Sequence, residues 1–136
     1  MSIDTIGNFL TVLRNRIMVS SPYAVADYSK MNAEIARILK EEGFVKDVQV
    51  FEEQEGRLLK KSLKVFFKYV QGESVMHEIT RVSKPSRRMY AKVKNLKPVI
   101  NGLGIVILST NRGIMTDKQA KASNLRVGGE VLCTVW

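Results

Sequence analysis

The run from Asn101 to Asp117, NGLGIVILSTNRGIMTD, constrains the fold of this chain more than any other stretch. Its four aliphatic residues, Ile105 to Leu108, are rich in β-branched side chains and lie between glycines and polar residues. That pattern predicts a short buried strand. The strand delivers Ser109, Thr110, Asn111 and Arg112 to its end, where Gly113 turns the chain. Thr116 then reads as a helix N-cap, with Gln119 completing a capping box. Small polar side chains on a bend anchored on both sides form a binding arrangement, although the same residues also favour ordinary solvated turns. Gly102-x-Gly104 is not a dinucleotide fingerprint, because these glycines precede a strand and do not open a helix.

The rest of the chain predicts an α+β protein of two small α/β domains. The first, residues 1–82, reads α-β-α-β-β. Asp4 caps a helix running to about Val19, with Ile6, Phe9, Leu10, Leu13 and Ile17 on one face. Ala24 to Tyr28 reads as a strand. Ser29 caps a second helix over 30–42, with Met31, Ile35, Ile38 and Leu39 inward and Gly43 after it. Val45 to Glu53 and Leu63 to Tyr69 read as strands, the second alternating with Lys64, Phe66 and Lys68. Gln54-Glu55-Gly56 is read as a turn and Gln71-Gly72-Glu73 as a hairpin connection, with Val75 to Val82 returning through His77. Ser83-Lys84-Pro85-Ser86 breaks the strand pattern and marks the boundary. The second domain, residues 83–136, is expected to be mostly β with a short helix. It holds a basic strand with Arg88, Tyr90 and Lys92, a helical turn over 96–100, a helix from Thr116 to about Asn124, a turn at Val127-Gly128-Gly129-Glu130 and a final strand to Trp136.

Charge separates the two halves. Residues 1–56 hold six Lys/Arg and nine Asp/Glu, a net of −3, whereas residues 57–136 hold sixteen and four, a net of +12. Seven cations and no acid lie between Arg81 and Lys97. This asymmetry exceeds what solubility needs and points to a polyanion, most often nucleic acid. No run is long enough to span a bilayer, and no amphipathic helix has a basic face, so no membrane partner is expected. The N-terminal residues lack the basic flank and apolar core of a secretory signal. Cys133 is the only cysteine and His77 the only histidine, which leaves no metal site and predicts a reducing, intracellular setting. Ser109 is not in a nucleophile elbow and no acid pair stands out, so neither enzymatic activity nor a cofactor is expected.

Several residues keep more than one reading at this level. Arg14 and Asn15 either complement the end of the first helix or touch RNA. Tyr90 either fills the core or stacks on a base. Glu130 either stands exposed at a strand start, orients a neighbouring cation, or accepts from a base amino group.

The motifs themselves resemble a known family. The run at 101–110, then Arg112-Gly-Ile-Met-Thr-Asp117, then Gly128-Gly129-Glu130 to the terminal Trp136, closely resemble the bacterial small-subunit ribosomal protein eight family. Asp4-Thr5-Ile6, Leu13-Arg14-Asn15, Glu42-Gly43-Phe44 and Ser83-Lys84-Pro85 support the likeness along the whole chain. The resemblance implies a structural ribosomal protein that binds the central domain of small-subunit rRNA early in assembly, beside neighbouring small-subunit proteins. It also implies, as in many bacteria, a messenger site through which the protein represses its own operon. The expected location is the cytoplasmic small ribosomal subunit, with an organelle ribosome left open. A generic basic RNA-binding or RNA-chaperone module outside the ribosome is the alternative. By the same resemblance, Ser109, Thr110 and Asn111 form the RNA-reading loop, with Asn111 in place of a serine. Gly128, Gly129 and Glu130 form a second element, Arg88 and Tyr90 a third, and Arg14 and Asn15 touch another RNA segment. Lys84, Arg88, Lys92 and Arg112 are expected to meet phosphates. Ser86 stands where the family has glycine, Val12 where it tends to have arginine, and Ala122 to Arg126 looks slightly lengthened.

Overall fold

The computed structural model describes residues 4–123 and 128–136. The chain divides into two compact units, residues 8–76 and residues 77–136 together with the first seven. Among the described residues, three helices and several antiparallel sheets give the mixed α+β class that the sequence predicts.

The first helix, α1, covers Thr5–Met18, and the Asp4 carboxylate accepts from the Gly7 N–H at 3.1 Å. Phe9, Leu10 and Leu13 are its buried residues. Strand β1 is Tyr23–Asp27, and α2 is Lys30–Glu41, with the Ser29 hydroxyl accepting from Asn32 N–H at 3.0 Å. Helix α2 buries Ile35, Ala36, Ile38 and Leu39 at helical spacing, and Asn32 with them. Strands β2 (Val45–Glu55) and β3 (Leu58–Phe67) form a long hairpin, and β1 adds to it in the order β1-β3-β2. The hairpin turn falls at Gly56 and Arg57, after the expected Gln54-Glu55-Gly56, because pairing continues to Glu55 and Leu58. Two short strands, β4 (Tyr69–Val70) and β5 (Glu73–Ser74), close around Gln71 and Gly72, both at positive φ. That is the conformation a two-residue hairpin turn needs.

The expected strand from Val75 to Val82 is shorter. Only Ile79–Arg81 (β6) is extended in a sheet, and it pairs with Val135 to Cys133 rather than with its predecessor in sequence. His77 is therefore not a mid-strand residue. Its N–H donates to the Trp136 carbonyl at 2.7 Å, and its ring lies 5.4 Å from the indole. This pairing draws residues before Ser83 into the unit that holds the C-terminal sheet.

The C-terminal sheet adds β7 (Tyr90–Lys92), β8 (Ile105–Thr110), β9 (Gly113–Thr116) and β10 (Gly128–Val135). Strand β10 is central, flanked by β8 on one side and by β6 and β7 in succession on the other, with β9 outside β8. Two 3-10 turns, Val93–Asn95 and Val99–Gly102, lie between β7 and β8. Helix α3 spans Asp117–Ala122, and the Thr116–Gln119 capping box is formed in both directions. Val93, Val106, Leu108, Ala120 and Val131 make one buried cluster. Ile105 and Ile107 to 1% exposure or less, with Cys133 and Val135, form the buried part of the opposite face. Burial pushes the Cys133 thiol up to about 12, so it behaves as a small hydrophobe. Strand β9 was not foreseen, and Gly128 to Glu130 belong to a strand where a turn was expected. The expected end of the last helix at Asn124, the turn residue Val127 and most of the lengthened segment lie outside the described residues.

Candidate RNA interface at the end of the C-terminal sheet

Strand register brings three of the expected residues into one row. Tyr90 lies opposite Glu130, Glu130 opposite Ser109, and Ser109 opposite Ile114, across β7, β10, β8 and β9. Directly opposed residues share a face, so these side chains form one line across the sheet. A β-bulge makes that line possible. Val131 pairs with Leu108 but Cys133 with Ile107, leaving Leu132 as the extra residue. Without it, strict alternation would turn Glu130 to the opposite face from Ser109.

The two glycines of β10 have a steric cause. A Cβ on Gly128 would collide with the Ala91 carbonyl and lie 2.7 Å from the Lys92 Cα. A Cβ on Gly129 would collide with the Ser109 carbonyl and lie 3.0 Å from the Thr110 methyl. Both contacts are to backbone or β-branched groups that cannot swing away. The bare glycines let β7 and β8 close on β10 and hold the row together.

Glu130 is the best-held residue of the row. Its Oε2 accepts from the Ser83 hydroxyl and from the Arg88 guanidinium, the latter at 3.0 Å. Burial alone would raise its pKa, but the bonds from Ser83 and Arg88 outweigh it and keep the carboxyl below its usual range. Arg88 is raised in turn, chiefly by its bond to Glu130. Ser83 is itself 3% exposed and is tied in three further ways. Its N–H donates to the Val131 carbonyl at 3.0 Å, its carbonyl accepts from Arg81 Nε, and its hydroxyl accepts from the Met89 N–H at 3.3 Å. Arg81 also pairs with Asp4, whose own carboxyl is lowered because the bonds from Arg81 and Gly7 outweigh its burial. Ser83 is the member of this network that sequence reasoning missed, since nothing distinguishes a buried serine beside Lys-Pro from a linker residue.

The β8–β9 hairpin shapes the loop beside the row. The Thr110 hydroxyl donates to the Gly113 carbonyl at 2.9 Å and accepts from the Arg112 N–H at 3.2 Å. Gly113 adopts φ +106°, which closes the turn. Asn111 and Arg112 are consequently exposed at the tip. Thr110 thus builds the turn with its hydroxyl and keeps one lone pair spare. Ser109 is half-buried, and its hydroxyl has no partner among the described residues.

Around this core stand exposed cations. Lys84, Arg87, Arg88, Lys92 and Arg112 are all exposed, and among the described residues only Arg88 has a carboxylate partner. The Lys84–Arg87 bridge folds Pro85 and Ser86 into a tight turn. Tyr90 is 71% exposed, so it is no core residue. Arg14 and Asn15 are exposed residues of α1 and belong to the other unit.

The fold and this surface define a class of small basic α+β proteins, with a basic sheet end, a pinned carboxylate and an exposed aromatic. The family model described as Ribosomal protein S8 matches residues 4–136. The small ribosomal subunit protein uS8 of Nitrobacter winogradskyi is 47% identical over 133 residues, covering 98% of this chain and 97% of the relative. The small ribosomal subunit protein uS8c of Thalassiosira pseudonana is 43% identical, with both chains covered in full (100% each). That of Limosilactobacillus fermentum is 44% identical, covering 98% and 97%. The chain belongs to the ribosomal protein S8 family, structural proteins of the small ribosomal subunit.

Proposed function

We propose that the protein binds the central domain of small-subunit rRNA directly and early in assembly, and that residues 83–136 carry this binding. The observation that carries the reading is the row Tyr90–Glu130–Ser109 beside the Thr110–Asn111–Arg112 hairpin. Specific RNA recognition targets splayed bases and 2′-hydroxyls at irregular sites, not regular helix grooves. A free Ser109 hydroxyl both donates and accepts at close range, and the Asn111 amide offers the same pair of functions. Tyr90 presents a face for stacking on an unpaired base. Gly129 lets β8 close on β10, which holds Ser109 beside Glu130 in the row. Glu130 cannot serve phosphate. Its bonds to Ser83 and Arg88 favour the role of holding the Arg88 guanidinium toward the RNA backbone. Lys84, Lys92 and Arg112 then supply phosphate contacts that position without reading sequence. Arg14 and Asn15 serve a second RNA segment. A messenger element that copies the rRNA site would occupy the same surface, and repression of the protein's own operon follows from that mimicry.

The test is a competition. A central-domain RNA fragment, a scrambled RNA of equal length and heparin are titrated against the protein at several salt concentrations. Preference for the folded fragment that survives heparin, with affinity falling by a log–log slope of roughly −0.7 to −0.9 for each phosphate met, supports the reading. Equal affinity for all three polyanions refutes it.

A further inference from the structure

The β2–β3 hairpin continues past the part of the sheet that β1 covers. Pairing with β1 ends at Ser62, and Tyr28 N–H reaches the Lys61 carbonyl at 3.2 Å. Beyond that, residues 52–61 form a two-stranded arm, and every one of them is exposed. Its tip carries Leu58 and Leu59 at 75% and 71% exposure. Because successive strand residues point to opposite sides, one leucine lies on each face of the ribbon. A bare two-stranded ribbon is marginal in water, and leucines on both faces add nothing to it there.

The charges of the arm differ from those around the RNA interface. Residues 52–61 hold Glu52, Glu53 and Glu55 against Arg57, Lys60 and Lys61, a net of zero in a chain of +9. Register sets Glu52 opposite Lys61 and Glu53 opposite Lys60, which supports the ribbon but leaves the leucines unexplained. All three acids lie on β2, an edge strand of its sheet whose outer side pairs with no strand among the described residues. An acidic open edge repels phosphate. We infer that this arm docks on another protein of the small subunit, its two leucines entering an apolar cleft flanked by lysine or arginine that meets the acidic edge. The inference rests on the chain's place in the subunit and is independent of the RNA reading.

The test uses assembled small subunits carrying the full chain with Leu58→p-benzoylphenylalanine, and as control the same group at Leu103, which is 78% exposed in the other unit. The expected product at Leu58 is an adduct to one protein, mapped to a segment with basic residues beside the attachment point. An adduct to rRNA, an adduct to a second copy of this chain, or no adduct above the Leu103 control overturns the proposal. A second variant, Leu58→Ser with Leu59→Ser, is measured two ways. Its affinity for the central-domain fragment should stay within about twofold of wild type, as surface changes away from a contact do. Subunits containing it should hold the cross-linked neighbour in clearly reduced yield. Unchanged yield of that neighbour, or a fall in RNA affinity, contradicts docking by this arm.

Discussion

Two hairpins of this protein, Thr110 to Gly113 and Glu55 to Leu58, both turn through two residues, yet they expose opposite chemistry. The first ends a strand in the middle of a sheet, packed by β9 and β10 and backed by a buried cluster. Its Thr110 hydroxyl is pinned by two hydrogen bonds, and the exposed cations near it are joined by one pinned carboxylate, Glu130. The second extends beyond its sheet, exposes apolar side chains on both faces and balances its charges. A rigid polar surface with one sign of charge suits discrimination of a polyanion. A charge-balanced ribbon with apolar ends suits burial against protein. The proposed division of roles is that pinned neighbouring groups select while unpaired cations only attract, so net charge alone would not locate function.

The largest expected effect separates the supports of the two hairpins. Gly128→Val or Gly129→Val forces a side chain against a neighbouring strand's carbonyl and should cost at the upper end of about 1–3 kcal/mol, read by urea unfolding, with RNA binding lost as well. Gly56→Ala meets nothing within 4 Å and pays only for its φ of +61°, about 1 kcal/mol. Equal costs at the two sites would break the contrast between a clamped sheet end and a free ribbon.

The next effect sharpens the role of Glu130. Glu130→Gln should lose about 1–2 kcal/mol at neutral pH, since hydrogen bonds to a charged group exceed neutral ones. The folded carboxyl titrates below its ordinary 4.5, so its contribution is complete above that value and disappears as pH falls through the lowered folded value. Stability profiles of wild type and variant should therefore converge in acid. Parallel profiles would mean that the charge of Glu130 does nothing for the sheet end.

A smaller loss follows from Thr110→Ala, which removes both bonds that set the Asn111–Arg112 turn and should cost about 1 kcal/mol. The smallest is Leu58→Ser with Leu59→Ser, whose thermal stability as an isolated protein should stay within about 0.5 kcal/mol of wild type, because neither leucine is in the core. A larger drop would show that the arm packs on its own unit.

Much of this organisation is legible in the residues themselves. The buried strand, the Ser29 and Thr116 caps and the positive-φ Gly43 follow from local chemistry that tertiary context left intact. The strand after Ile79 is different, because its partner lies more than fifty residues away and no local pattern announces a pairing with Val135. Gly128-Gly129 reads as a turn by propensity, whereas close strand approach makes it sheet. The consecutive apolar Val131, Leu132 and Cys133 break the period of two and were the available sign of the bulge. The row of Tyr90, Glu130 and Ser109 was beyond reach, since it depends on that bulge and on two long-range registers together.

The most direct measurement is the ratio of affinities for the central-domain fragment and for its scrambled counterpart, taken for wild type, Ser109→Ala and Lys97→Ala. Ser109→Ala is expected to collapse the ratio while affinity for scrambled RNA holds, and Lys97→Ala to weaken both RNAs alike and leave the ratio unchanged. A ratio that survives Ser109→Ala and falls with Lys97→Ala would contradict the division between reading and attraction.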